Sequence, residues 1–159
     1  EYLLKNAINN PQELFIGVEF YKNGIAKVLK NILDLKISNL KLSNINGMYL
    51  LSALPNHSVD SLLIINPDPW HKKKHQKRRL ISFENLKVFQ RIIKSTNSIF
   101  ITTDSSSYLG HIEKIFKNNR EELGDIDIIT LSEKDKLYGI SRYQRKAIEN
   151  GKKIYQITI

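Results

Sequence analysis

Apolar residues recur along this chain in two alternating rhythms. In 1–9 (EYLLKNAIN) and 21–35 (YKNGIAKVLKNILDL) they fall at helical spacing, so that Ile25, Val28, Leu29, Ile32 and Leu33 share one face. Pro11 closes the first of these helices, and FIGVEF, 15–20, is a short apolar run that predicts a buried strand ending in Glu19. NLKLSN, 39–44, reads as a strand and MYLLSAL, 48–54, as a short helix. DSLLIIN, 60–66, predicts a second buried strand that runs straight into PDPW. Residues 83–94 (FENLKVFQRIIK) predict an amphipathic helix with Ser82 as its N-cap. SIFITTD, 98–104, predicts a third buried strand, followed by a serine cluster and a helix over 107–118. DIDIITL and KIYQITI, the latter at 153–159, alternate apolar and polar residues and predict the last strands.

Strands alternating with helices imply an α/β domain with a mostly parallel sheet covered on both faces. Ligands of such sheets sit beyond the carboxyl ends of the strands. Glu19, Asp68 and Asp104 all fall at such ends and are expected to converge on one rim. Taken alone, Asp104 reads as an N-cap for the helix that follows it.

Composition narrows the class. The 159 residues suit a single domain, and 41% hydrophobic with 26% charged residues is a folded balance rather than a disordered one. No apolar run approaches the roughly 18–20 residues of a membrane span. The net charge of +9 favours a polyanionic partner, nucleic acid before an acidic membrane surface. With no cysteine there are no disulfides, thiolate metal sites or cysteine nucleophiles, which fits a reducing, cytoplasmic setting. The four histidines make no HExxH spacing, so no metal site is expected.

The charge concentrates in NPDPWHKKKHQKRR, 66–79, where Lys72, Lys73, Lys74, Lys77, Arg78 and Arg79 follow a corner built on Pro67 and Pro69. A residue before proline is steered to extended geometry, so Asn66 and Asp68 are both expected extended, with φ near −65° at the prolines themselves. Trp70 can cover one wall of this shelf or stack on a flat ligand. The bland alternatives are a stiff strand-to-loop turn and a solvated charge run. If all six cations met phosphate, binding would weaken with salt at a log–log slope of roughly −4 to −5.

That segment closely resembles the signature of the bacterial tRNA (guanine-N7-)-methyltransferases, usually FPDPW followed by a basic run ending in KRR. FIGVE at 15–19, ITTD at 101–104 and SRYQRK at 141–146 resemble further segments of the family, in the same order. The resemblance implies a Rossmann-like, S-adenosylmethionine-dependent methyltransferase of class I. Its donor would be held by Glu19 at the ribose hydroxyls, by Asn46 near the adenine and by Asp68. Asp68 would also be the catalytic acid. Lys72, Asp104, Ser141, Arg142, Tyr143 and Gln144 match substrate-contacting positions. Lys74, His75, Gln76, Lys77, Arg78 and Arg79 match the tRNA-contacting run.

Several positions depart from the family pattern. Asn46 stands for an Asp, Ser141 for a Thr, and Gln144 for a Glu that could read the guanine N–H edge. The family's E-x-G-x-G turn is missing, and EYLLKNA at 1–7 resembles the helix that follows it. The chain is therefore expected to be a single methyltransferase domain over 1–159 that lacks the first strand and forms the C-terminal portion of a longer polypeptide, as a monomer or homodimer. The implied reaction is methylation of guanosine N7 in tRNA. Two other readings stay open here: an amino-group methyltransferase acting on glutamine or a nucleobase, whose [ND]PP[YFW] motif Asp68 interrupts, and a non-catalytic RNA-binding module.

Overall fold

The computed structural model describes residues 2–95, 98–131 and 142–159, with the backbone alone at 142 and 143. In chain order the elements are α1 (Tyr2–Asn9), β1 (Phe15–Val18), α2 (Lys22–Asp34), β2 (Leu40–Ser43), α3 (Gly47–Ala53), β3 (Leu62–Ile65), a 3₁₀ helix (Lys73–Arg78), α4 (Phe83–Ile92), β4 (Ile99–Thr103), α5 (Ser106–Asn118), α6 (Arg120–Leu123), β5 (Asp127–Leu131), α7 (Arg142–Glu149) and β6 (Ile154–Thr158). The helices and strands expected from periodicity are present, with ends displaced by a residue or two. The 3₁₀ helix, α6 and α7 are additions. The chain divides into two compact units, the first formed by the residues up to Ala53 and the second from Leu54 through β5 together with Tyr143–Ile159.

In the first unit β1 and β2 pair in parallel, Phe15 opposite Leu40 and Val18 opposite Ser43. Phe15, Gly17, Leu40 and Leu42 share one face of this pair, and α1 lies against it. A Cβ added at Gly17 would stand 2.5 Å from Leu3 Cδ2, so glycine is what lets the helix side chain lie on the strand. Asn39 secures the end of α1: its amide donates to Ala7 O at 2.9 Å and Asn10 O at 3.0 Å, carbonyls the helix itself leaves unpaired. Burial is sparse, and Ile16, Val18, Phe20, Leu29 and Leu33 are exposed.

The second unit holds a four-stranded sheet in the order β3-β4-β6-β5. β3 and β4 are parallel, whereas β6 runs antiparallel to both β4 and β5. The sheet is therefore mixed where the sequence suggested mostly parallel strands. Alternation with a period of two is the same read in either direction, so KIYQITI carries no signal of its own polarity. Helices α4 and α5 place Leu86, Phe89 and Ile92, and Tyr108, Ile112 and Phe116, in the core at spacings of three and four. Together with Ile99, Ile101, Ile154 and Ile157 these side chains are removed from water almost completely. Each contributes about 1.5–3 kcal/mol on full burial. Ser82 caps α4 as expected, its hydroxyl accepting from Asn85 N–H at 3.3 Å.

Candidate active site

Parallel pairing brings strand ends together in each unit. In the first, Glu19 follows β1 directly, and its N–H donates to Ser43 O at the end of β2 at 3.1 Å. The Glu19 side chain is exposed and accepts from Tyr21 N–H through Oε1 at 2.9 Å. Asn46 stands on the loop leaving β2, where its Oδ1 accepts from Met48 N–H at 2.9 Å and so caps α3. The acceptor expected to meet an adenine thus already takes the N–H that starts a helix, while the amide also carries two N–H donors.

In the second unit, Asp68 follows β3 and Asp104 follows the adjacent β4, so both carboxylates lie at the same end of one parallel pair. Asp68 is exposed. Asp104 is largely covered and pairs with Lys152 Nζ at 3.3 Å. It does not cap α5. Ser105 does, with its hydroxyl accepting from Tyr108 N–H at 3.3 Å. The helix starts one residue later than a cap at Asp104 would need, and the carboxylate meets Lys152 instead.

The corner is not extended throughout. Asn66 has φ of +47° and Trp70 of +45°. Asparagine is among the few L-residues that enter this left-handed region without prohibitive strain, and hydrogen bonds hold it there. Asn66 N–H donates to Thr102 O at 3.0 Å, the Thr102 hydroxyl donates to Asn66 Oδ1 at 2.7 Å, and the Gln144 amide donates to Thr102 Oγ1 at 3.0 Å and Asn66 Oδ1 at 3.3 Å. These bonds outweigh the extended bias that Pro67 imposes on its neighbour. Asn66 Nδ2 is buried without an acceptor, the one such side-chain atom among the described residues. Gln144 is 3% exposed, so it reaches the corner from within. Neither Asn66 nor Thr102 has a sequence signal for this bridge. Thr102 is indistinguishable from any strand residue.

The basic run is sorted by its own geometry. A 3₁₀ helix repeats every three residues, so side chains three apart eclipse. His75 and Arg78 form one face, which meets Trp70: the His75 ring is edge-on at 5.7 Å and the Arg78 guanidinium lies 5.2 Å from the indole centroid. Trp70 thereby packs on its own loop. Lys74 and Lys77 form a second face and are exposed, as are Lys72 and Lys73 before them, while Gln76 is partly covered.

Arg79, expected among the RNA contacts, is turned inward. It is 7% exposed; its Nε–H donates to Pro69 O at 2.8 Å, and its guanidinium lies 5.1 Å from the Tyr108 ring centroid. Tyr108 is fully buried and accepts from Ile81 N–H at 3.0 Å. Burial pushes its phenol above the ordinary tyrosine range, opposed by the Ile81 N–H and by Arg79 and reinforced weakly by Asp68. Desolvation likewise holds His111 below the usual imidazole value, against the pull of its bond to Ile81 O at 3.1 Å. Ser141 and the side chains of Arg142 and Tyr143 lie outside the described residues.

The family described as "Putative methyltransferase" matches residues 1–157. A protein named bifunctional methyltransferase from Rickettsia prowazekii (strain Madrid E) is 37% identical over 152 residues, which cover 93% of this chain and 28% of that protein. A tRNA (guanine-N(7)-)-methyltransferase from Wolbachia pipientis wMel is 33% identical over 154 residues, 97% of this chain and 67% of the relative. Among solved structures, an antibiotic related methyltransferase superposes with a TM-score of 0.61 at 18% identity, over 99% of this chain and 81% of that one. A 30S ribosomal A1408 methyltransferase from an uncultured bacterium does so with a TM-score of 0.55 at 19% identity, over 99% and 80%. The chain thus spans less than a third of the length of the bifunctional relative it matches.

Proposed function

Because the chain belongs to the tRNA (guanine-N7-)-methyltransferase family and has the Rossmann-like α/β fold of S-adenosylmethionine-dependent methyltransferases, we propose that it transfers a methyl group from S-adenosylmethionine to N7 of a guanosine in tRNA. The family match runs through both compact units, which supports assigning them to one methyltransferase domain over 1–159. The observation that carries the reading is Asp68: an exposed carboxylate at a strand end, set between residues that the fold pins and followed at once by exposed lysines.

Bound S-adenosylmethionine would supply an electrophilic methyl on sulfur. The donor set in the first unit suits such a group. Glu19 presents an exposed carboxylate at the end of β1, the acceptor type that a ribose diol calls for. Asn46 offers amide donors from the neighbouring loop, where an adenine supplies ring-nitrogen acceptors.

Guanine N7 carries a lone pair exposed on the major-groove edge, so no base is required to prepare it. Positive charge grows on the purine as the methyl arrives, and a fixed carboxylate at that spot stabilises it. Asp68 fills that role, with Asp104 at the same end of the sheet, its carboxylate balanced by Lys152. Lys72, Lys73, Lys74 and Lys77 hold the RNA backbone, placing the base without specifying it. Gln144 takes part through Asn66 and Thr102, the partners that its amide meets.

The test is methylation by the full-length polypeptide with labelled donor and tRNA, DNA or protein acceptors. Label released from tRNA as 7-methylguanosine is the expected result. Label in glutamine or an exocyclic nitrogen would establish the amino-group reaction instead, and tRNA binding without label would leave an RNA-binding module.

A further inference from the structure

We propose that Arg79 is a positioning residue: it staples the basic loop shut onto the corner and so fixes where Asp68 stands, instead of gripping RNA. The inference rests on the methyl-transfer reading above and adds a residue whose effect on that reaction passes through another.

The segment from Pro69 to Arg79 leaves the sheet and returns to its own start. Arg79 N–H donates to Gln76 O at 3.0 Å, ending the 3₁₀ helix, and its side chain then reaches back to Pro69 O at 2.8 Å. The loop is closed at its neck by its own last residue, in the manner of the compact surface loops whose ends meet. Trp70 fills the interior against His75 and Arg78.

Pro69 is the residue after Asp68, and its ring fixes φ. Holding the Pro69 carbonyl therefore leaves little freedom between the anchored atom and the Asp68 backbone. On the other side, Asn66 is tied to Thr102. The anchor itself is rigid, since Tyr108 is fully buried on α5, and its hydroxyl is tied to Ile81. The same helix starts two residues after Asp104, which precedes its N-cap Ser105. Both rim carboxylates of this unit are in this way referenced to a single element.

The charge balance points the same way. Burying a guanidinium is costly unless its donors and charge are answered. Among the described residues no carboxylate lies within ion-pair distance of Arg79, so a carbonyl and a ring face answer it. An ammonium cannot lie flat over a ring while donating sideways to a carbonyl. Against a phosphate, by contrast, lysine and arginine are both serviceable cations. Arg79→Lys therefore separates a staple from an RNA contact.

In the full-length protein methylating tRNA, Arg79→Lys should lower kcat roughly 10- to 100-fold, as expected when a reacting group is displaced by a fraction of an ångström to an ångström. The KM for tRNA and the salt slope of binding should not change. The part of the tryptophan emission that Trp70→Phe removes should shift with the loosened corner. A higher KM at unchanged kcat, a shallower salt slope, or a variant matching wild type would each overturn the proposal. Should Arg79→Lys fail to fold, the wild type still decides. Its Arg79 Nε–H, followed by NMR of ¹⁵N-arginine-labelled protein, should resist solvent exchange and ignore added tRNA. Exchange as fast as that of Arg78 would sink the staple. Wild-type protein that forms no 7-methylguanosine, with the Nε–H protected, refutes the reaction and keeps the staple as architecture alone.

Discussion

Asp68 projects into solvent from a backbone gripped on both sides, by the Thr102 bridge at Asn66 and by Arg79 at Pro69. An exposed side chain contributes little to folding, so its removal should be felt in chemistry. Asp68→Ala is expected to leave the unfolding midpoint unchanged and tRNA binding intact, while turnover falls on the order of 10²–10³-fold, measured as 7-methylguanosine formed at saturating donor. Thr102 is the converse case. Its hydroxyl both donates to Asn66 and accepts from Gln144, and valine of the same shape removes it. Thr102→Val leaves buried polar groups unpaired at a cost of about 1–3 kcal/mol, so the urea midpoint should drop with the slope unaltered. The sequence made Asp68 conspicuous through its flanking prolines. It gave no hint that Thr102 meets Asn66, because a partner 36 positions away is chosen by strand pairing and not by local pattern.

At the scale of elements, the 3₁₀ helix turns a run of like charges into three distinct faces. Lys74 and Lys77 share the exposed one, so Lys74→Ala with Lys77→Ala should flatten the salt dependence of tRNA binding by about 0.7–0.9 for each lysine replaced, with turnover at saturation retained. Titrating binding across a salt series checks this. Helix α5 carries the pH-sensitive contact of the second unit. Desolvation keeps the folded His111 below its unfolded value, so its neutral form adds stability above that unfolded value, about 6.5. That stability is lost as pH falls through the window below it. Melting temperature should therefore decline from about pH 7 towards pH 5. His111→Gln, which can still donate to Ile81 O, should flatten that decline.

For the molecule as a whole, the two units differ in how much they hide. β4 and β6 bury most of their side chains, with Phe100, Tyr155 and Thr158 half-buried, whereas β1 and β2 make a two-stranded sheet with Ile16 and Val18 in contact with water. A two-stranded sheet has little cooperative protection of its own. Amide exchange should proceed first in Phe15–Val18 and Leu40–Ser43 and last in Ile99–Thr103 and Ile154–Thr158; uniform exchange across the strands would contradict this ranking.

The sequence by itself determined the order of helices and strands, the placement of Glu19, Asp68 and Asp104 at strand ends, and the concentration of cations after the corner. These follow from local causes: periodicity, proline geometry and charge density act over a few residues. Only the tertiary structure decided that β6 runs antiparallel, that Asn66 turns left-handed, that Gln144 reaches the corner from inside, and that Arg79 leaves the cationic surface to be buried on Tyr108. Each of these depends on contacts between distant segments, whose free energies exceed the local preferences and leave no trace in the neighbouring residues.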